Sequence, residues 1–221
     1  MNFLKSMAHS YHSNGLGKIM RARRHAFFIK LIQSMPNPQN ILDVGGTELY
    51  WQTMGFTGTS NTQITLLNLK KEKVSSANMH SLAGNAIDMH ELKDQSFDIV
   101  FSNSVIEHVG DFDAQGRMAK EIMRIGKRYF VQTPNYWFPI EPHFLFPGFQ
   151  WLPASIRIWL IQRYDLGWYQ KTPDPEQARI LINHNQLLTK NEFKFLFPQA
   201  RIYEEKILSF VKSFIAYYGW E

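Results

Sequence analysis

The chain has 221 residues, with 24 Lys and Arg against 19 Asp and Glu, a formal net charge of +5, and 44% hydrophobic residues. This balance excludes a disordered chain, and the length is sufficient to bury a sizeable core. Without a run of about 18 apolar residues, or a basic start followed by an apolar block, we expect neither a membrane span nor a secretory signal. The absence of cysteine excludes disulfides and thiolate metal sites and fits a cytoplasmic protein.

Positive charge is concentrated at the start of the chain. Six of the 24 basic residues and none of the 19 acidic residues precede Asp43. The chain from Asp43 onward is therefore nearly neutral. Apolar positions at helical spacing over residues 16–35 predict a basic helix that Pro36 and Pro38 end. Residues 1–14 are predicted to be a mobile or loosely docked arm, which makes residues 1–36 an N-terminal arm and helix. The basic residues of this segment are Lys5, Lys18, Arg21, Arg23, Arg24 and Lys30.

Short apolar runs rich in β-branched residues alternate with longer polar stretches after the basic segment. Their length and composition predict buried strands at residues 41–44, 64–69, 97–103 and 129–132. The intervening stretches are long enough for crossover helices. The pattern therefore predicts an α/β fold with a mostly parallel sheet and helices on both faces, within a domain spanning residues 37–221.

The rhythm of strands and helices changes after Thr133. Residues 134–188 contain seven prolines and many aromatics, which predicts an inserted, partly helical cap with proline-bounded turns. Thr189 and Glu192 have the spacing of a capping box for a helix over residues 190–197. Residues 201–205 and 210–217 are predicted to be two closing antiparallel strands.

The strongest local motif is the segment Asn-Ile-Leu-Asp-Val-Gly-Gly-Thr at residues 40–47. An apolar strand here ends in Asp43 and runs at once into Gly45 and Gly46. Paired glycines let the backbone turn sharply and approach a ligand at the carboxyl end of a parallel strand. Taken alone, the motif is equally compatible with an ordinary tight turn.

Three further segments follow, and their order favours a ligand-binding turn over an ordinary tight turn. They are Asn68-Leu69 at the second strand end, Gly84-Asn85-Ala86, and the stretch from Ser96 to His108, which contains Ser-Phe-Asp-Ile-Val and ends in a Glu-His pair. As a set, the segments resemble the class I S-adenosylmethionine-dependent methyltransferases, particularly the small-molecule group. The resemblance covers residues 41–135 well and most of the remaining chain loosely.

This resemblance implies a Rossmann-like sheet of seven strands and S-adenosylmethionine as cofactor. The implied reaction is methyl transfer to a small-molecule acceptor, at oxygen. The implied cofactor contacts are Asp43, Gly45 and Gly46 near the methionine moiety, Asn68 beside Leu69 at the ribose, Asn85 and Ala86 at the adenine, and Ser102 and Asn103 beneath the sulfonium.

The sequence departs from the family pattern at four positions. Thr47 and Leu49 occupy positions usually filled by glycine, while Asn68 and Asn85 stand where acids are usual. Asparagine lacks the charge-assisted bidentate acceptance of a carboxylate. The departures leave open a second hypothesis, a noncatalytic binding or scaffold protein that keeps the fold.

Methylation of a hydroxyl requires alignment of the two reactants and removal of a proton. Glu141 and His143 lie just past the fifth predicted strand, and His108 lies in the exit of the fourth, so these three are the candidate catalytic residues. Each could instead hold the cap to the sheet by hydrogen bonds. No group with metal-ligand spacing is present in the sequence, so no metal is expected.

Two questions about partners stay open in the sequence. The cap aromatics either form a pocket wall for an acceptor or are ordinary core. The basic helix either faces water or meets phosphate, on a nucleotide-linked acceptor or on RNA, so RNA or protein methylation is an alternative. No DNA partner is expected, and the oligomeric state cannot be read from the sequence. The aromatics in question are Trp137, Phe138, Phe144, Phe146, Phe149 and Trp151.

Overall fold

The computed structural model describes residues 16–36, 39–56, 58 and 62–220. They fall into two compact units, Met1–Pro36 and Asn37–Glu221. The first unit contains helix α1, Leu16–Gln33. This helix ends two residues before the predicted limit, because the Ser34 and Met35 N–H groups bond the carbonyls three residues back. The predicted arm over residues 1–14 lies outside the described residues.

The second unit is built on one seven-stranded sheet, which confirms the predicted fold class. Its order is β3-β2-β1-β4-β5-β7-β6, parallel except for β7, which pairs antiparallel with both neighbours. The strands are β1 Gln39–Val44, β2 Thr62–Asn68, β3 Met79–Ala83, β4 Ile99–Asn103, β5 Tyr129–Pro134, β6 Arg201–Ile207 and β7 Phe210–Tyr218.

The central strands are apolar because helices and loops cover both faces of the sheet. Ile41, Leu42 and Val44 of β1 are fully buried between β2 and β4. Helix α2, Glu48–Thr53, follows β1, and helix α3, Phe112–Ile125, precedes β5. Chain direction and crossovers therefore bring the carboxyl ends of β1, β2, β4 and β5 to one edge of the sheet.

The C-terminal elements form where the local sequence predicts them. Helix α6, Lys190–Leu196, begins with a capping box in which the Glu192 N–H bonds the Thr189 hydroxyl and the Glu192 carboxylate bonds the Thr189 N–H. Strands β6 and β7 then form an antiparallel hairpin. No helix in the described ranges is long and apolar enough to cross a membrane.

The cap over residues 134–188 has a small core of its own. It contains a 3-10 turn at Phe149–Trp151 and helices α4, Ala154–Arg163, and α5, Pro175–His184. Phe144 and Phe149 stack with ring centroids 4.2 Å apart inside this core. Trp137 and Trp151, by contrast, are 62% and 45% exposed. The cap aromatics therefore divide between core and surface.

Candidate active site

The turn after β1, which we call the glycine loop (residues 45–47), depends on its two glycines. Gly45 has φ +79°, and a Cβ there would lie 2.5 Å from a methyl group of Val105. Its N–H donates to the Leu67 carbonyl over 2.8 Å, which joins the loop to β2. A Cβ at Gly46 would overlap the Asp43 carboxylate. Larger residues are therefore excluded at both positions.

Asp43 is a buried carboxyl beneath the glycine loop. Its Oδ2 accepts a hydrogen bond from Trp51 Nε1 at 2.6 Å, while Oδ1 has no hydrogen-bond partner within the described ranges. Burial raises the pKa of Asp43 to about 7, although the hydrogen bond from Trp51 opposes the rise. The side chain is thus poised to ionise near neutral pH and offers one unsatisfied acceptor atom.

The unusual residues of the loop have specific local partners. The Asn68 side-chain N–H donates to the Gly46 carbonyl at 2.9 Å. Thr47 is the N-cap of α2 and accepts a bond from the Tyr50 N–H. Leu49, on the first turn of that helix, is 45% exposed. Asn68 and Thr47 each satisfy a backbone group of this turn, whereas nothing in the structure explains Leu49.

Glu48, the first residue of α2, anchors the segment that follows β2. Glu48 accepts hydrogen bonds from the N–H and hydroxyl groups of both Ser75 and Ser76, at 2.6 to 3.0 Å. These bonds, those of Ser76 above all, lower the pKa of Glu48 to about 2. The start of α2 and the segment after β2 are therefore joined by hydrogen bonds. Leu69, which begins that segment, is 79% exposed.

The remaining predicted cofactor residues lie at the neighbouring strand ends. The Ser102 hydroxyl donates to the Val44 carbonyl at 3.2 Å, and Asn103 ends β4. Asn85 is exposed, and its Oδ1 accepts the Ile87 N–H in a turn after β3. Ala86 is buried in the main core.

The structure thus places the nine predicted cofactor residues along one edge of the sheet, while their roles stay predictions. S-adenosylmethionine fits the residues present there. A buried, unsatisfied carboxylate oxygen of Asp43 suits its cationic amino acid part, and the two glycines expose backbone at the turn.

A histidine and a glutamate form a hydrogen-bonded pair in the cap. Glu141 is buried, and its Oε1 lies 2.7 Å from His143 Nδ1. Its Oε2 accepts the backbone N–H groups of His143 and Phe144 at 2.7 and 2.6 Å. Because the carboxylate accepts at both oxygens, His143 donates from Nδ1, so the neutral form of the ring has its lone pair on Nε2.

Two further imidazoles lie against this pair, and with it they form the histidine cluster (His108, His143 and His184). The His108 and His143 rings meet edge to face, with centroids 4.8 Å apart. His108 Nδ1 lies 3.3 Å from Nδ1 of His184, which ends α5. Burial first, and then the neighbouring histidines, lowers the pKa of His108 well below its usual value. His108 is therefore neutral at physiological pH.

The structure brings together the three catalytic candidates and adds a residue that sequence reasoning missed. His184 is distant in the sequence and belongs to no motif; only its place in a proline-started helix within the cap could have drawn attention to it. The fold also places the buried carboxylate of Glu107 close to His108 and His143. Its Oε2 accepts a hydrogen bond from the Thr133 hydroxyl at 3.1 Å.

A metal-binding arrangement arises here that spacing along the chain does not indicate. One ligand atom each from Glu107, His108 and His143 lie within 4.8 Å of one another, so this group could hold a metal ion. Without a metal ion, the same cluster contains a candidate proton acceptor, the His143 ring that Glu141 orients.

Comparison with known proteins gives a domain match and a shared fold. Residues 42–129 match a family described as a methyltransferase domain. The chain has the fold of a CurJ carbon methyltransferase, with a TM-score of 0.59 and 8% identity over 97% of this chain and 58% of that one. The fold is also similar to that of a SAM-dependent methyltransferase from Methanosarcina mazei. The TM-score is 0.50 and the identity is 13%, over 85% of this chain and 95% of that one. The chain therefore has the fold of the S-adenosylmethionine-dependent methyltransferases and carries a methyltransferase-domain match, as the sequence motifs predict.

The sequence relatives are shorter matches. An uncharacterized protein of Mycobacterium tuberculosis is 40% identical over 58 residues, which are 26% of this chain and 20% of that protein. The chain therefore matches about a fifth of the length of this curated relative.

Proposed function

We propose that the protein transfers a methyl group from S-adenosylmethionine to the oxygen of a small-molecule acceptor. The methyltransferase domain match and the fold support the reaction class. The observation that carries the proposal is the Glu141–His143 pair, which lies just past β5. The His143 ring contacts His108, the last residue of the 3-10 turn Ile106–His108 that follows β4. A candidate base thus sits beyond two of the strand ends that form the cofactor edge.

The cofactor would be held by the strand-end residues. When bound, S-adenosylmethionine supplies a methyl group attached to a positively charged sulfur. Asp43 would contribute a buried negative charge for this cationic molecule once ionised, and Gly45 and Gly46 would let it approach the backbone. Asn68 donates its N–H to Gly46 and keeps its side-chain oxygen as an acceptor for a ribose hydroxyl.

His143 would remove the proton of the acceptor hydroxyl as the new oxygen–carbon bond forms. Its Nε2 carries the lone pair, because Glu141 holds the proton on Nδ1. The carboxylate stabilises the imidazolium that results, and two backbone N–H groups fix the carboxylate. A neutral His108 adds no positive charge against that imidazolium.

Calorimetric titration of the full chain with S-adenosylhomocysteine tests the first half of the proposal. We expect saturable binding that Asp43→Ala removes and His143→Gln leaves intact. Absence of binding at millimolar ligand would contradict the proposal and favour the noncatalytic alternative.

Turnover tests the second half, with release of S-adenosylhomocysteine measured over a panel of small hydroxylated compounds. His143→Gln should lower turnover by about 100-fold or more, the usual contribution of a general base. His90→Gln is the matched control, because His90 is an exposed histidine paired with Asp88. Equal turnover of wild type and His143→Gln would remove His143 from the chemistry.

A further inference from the structure

The cap contains a cavity of about 180 Å³. Its apolar wall includes the stacked pair Phe144 and Phe149, together with Tyr136 and Ile182. An engineered apolar cavity of about 150 Å³ is large enough to bind benzene. The cap cavity therefore has room for a molecule built on a single ring.

Three lining residues of this cavity, Arg157, Gln150 and Asn185 (through its Oδ1), each have a buried polar atom without a partner in the described part of the chain. The Arg157 Nε is buried without a hydrogen bond, and so is the Gln150 Oε1. The orientation of Gln150 is fixed, since its amide nitrogen donates to the carbonyls of Tyr136 and Phe138 at 2.9 and 2.7 Å. The cavity thus presents a guanidinium donor and, separately, two amide acceptors.

Buried polar groups without partners cost free energy, and proteins keep few of them. A ligand that satisfies these groups offers an anionic oxygen to Arg157 and O–H donors to the amide oxygens of Gln150 and Asn185. The aromatic and aliphatic side chains of the lining suit a ring. These three requirements describe a hydroxylated ring carboxylate.

The cavity adjoins the histidine cluster through two of its lining residues. Glu141 lines it and holds His143 by the 2.7 Å hydrogen bond. Asn185 also lines it, donates to the Tyr169 hydroxyl at 3.3 Å, and interacts with His108 through its side chain. A molecule in the cavity would therefore lie beside Glu141, the hydrogen-bond partner of the candidate base His143.

We propose that the cap cavity binds the methyl acceptor and that the acceptor is a single-ring carboxylate bearing a hydroxyl group. Arg157 pairs with the carboxylate, and the hydroxyl lies toward Gln150 and Glu141. The charge of Glu141 does not oppose this anion strongly, because two backbone N–H groups and the His143 Nδ1–H already compensate it. This inference rests on the proposed methyl transfer for the identity of the ligand as acceptor, whereas binding itself does not depend on it.

Direct binding tests the inference without turnover. The three hydroxybenzoate isomers are titrated against the full chain by calorimetry, with and without S-adenosylhomocysteine, beside the corresponding neutral hydroxybenzamides. We expect at least one acid to bind more tightly than its amide. Arg157→Gln should weaken the binding of that acid by about tenfold or more, because a charge-assisted hydrogen bond is lost. Arg163→Gln should bind as the wild type does. Arg163 lies on the same helix, with its guanidinium 4.8 Å from the centre of the Trp159 ring.

A second variant guards against a folding defect in Arg157→Gln. Leu187→Phe narrows the cavity without changing its charge and should also weaken the binding of the acid. Binding that survives both substitutions, or equal affinity for acid and amide, would overturn the inference, as would absence of binding by all three acids. If an acid binds but S-adenosylhomocysteine does not, the cavity assignment stands and the proposed methyl transfer fails.

Discussion

The side-chain N–H of Asn68 donates a hydrogen bond to the carbonyl oxygen of Gly46 over 2.9 Å. Related methyltransferases commonly have an acid at this strand end, and the departure has a physical reason here. A carboxylate has no N–H to offer and would place negative charge beside the carbonyl oxygen. Asn68 is therefore matched to the conformation of this particular glycine loop.

We predict that Asn68→Asp weakens binding of S-adenosylhomocysteine, even though it restores the commoner residue. The lost hydrogen bond and the added repulsion should cost about 1.5 kcal/mol, close to a tenfold rise in Kd. Calorimetric titration measures the effect. Asn191→Asp is the control, because Asn191 is exposed on α6 and belongs to none of the strand ends that would hold the cofactor. Tighter binding by Asn68→Asp would show that the Gly46 contact is dispensable.

The raised pKa of Asp43 predicts a pH-dependent stability. The folded protein keeps this proton up to a pH of about 7, whereas the unfolded chain releases it near 3.8. The folded state binds more protons between these values, so Asp43 makes the free energy of unfolding fall as the pH rises through that window. A shift of this size corresponds to about 4 kcal/mol at most.

Urea denaturation of wild type and Asp43→Asn at pH values below and above this window checks the prediction. The asparagine keeps an acceptor for Trp51 without the buried charge, so the variant should gain stability over wild type at about pH 8 relative to about pH 5. Binding of S-adenosylmethionine to wild type should strengthen over the same pH range, because its sulfonium is cationic and Asp43 becomes negatively charged there. A stability difference that does not change with pH would contradict the buried titration.

Glu48 is predicted to order the segment after β2. Glu48→Gln removes the negative charge that four N–H and hydroxyl groups of Ser75 and Ser76 share. We expect faster hydrogen exchange over residues 70–78 at neutral pH and a loss of global stability below about 1 kcal/mol, since the carboxylate is near the surface. Glu91→Gln, at an exposed glutamate, is the matched control. Unchanged exchange would mean that the segment is held by other contacts.

Removal of metal should leave the proposed reaction unchanged, because the Glu141–His143 pair supplies a base without one. The measurement is turnover before and after dialysis against a chelator, with the metal content determined by mass spectrometry. One equivalent of bound metal that His108→Gln removes and His90→Gln retains would instead assign Glu107, His108 and His143 as a metal centre.

Much of the fold could be predicted because its signals are local. The strand and glycine pattern at residues 41–46 dictates a turn that only glycine can make, and the Thr189–Glu192 spacing sets the start of α6. The order of motifs then gives a sheet whose topology follows from right-handed crossovers. The strand-end positions of the candidate cofactor residues followed from the same pattern.

The sequence by itself determined the alternation of strands and helices, the glycine turn and the residues at the strand ends. Only the tertiary structure decided that His184 meets His108, that Glu48 holds Ser75 and Ser76, and that Arg157 and Gln150 share a cavity beside Glu141. Turns and caps depend on the conformations and hydrogen bonds of adjacent residues, which periodicity and residue type reveal. Contacts between residues far apart in the chain depend on how whole elements pack, and no local pattern encodes them.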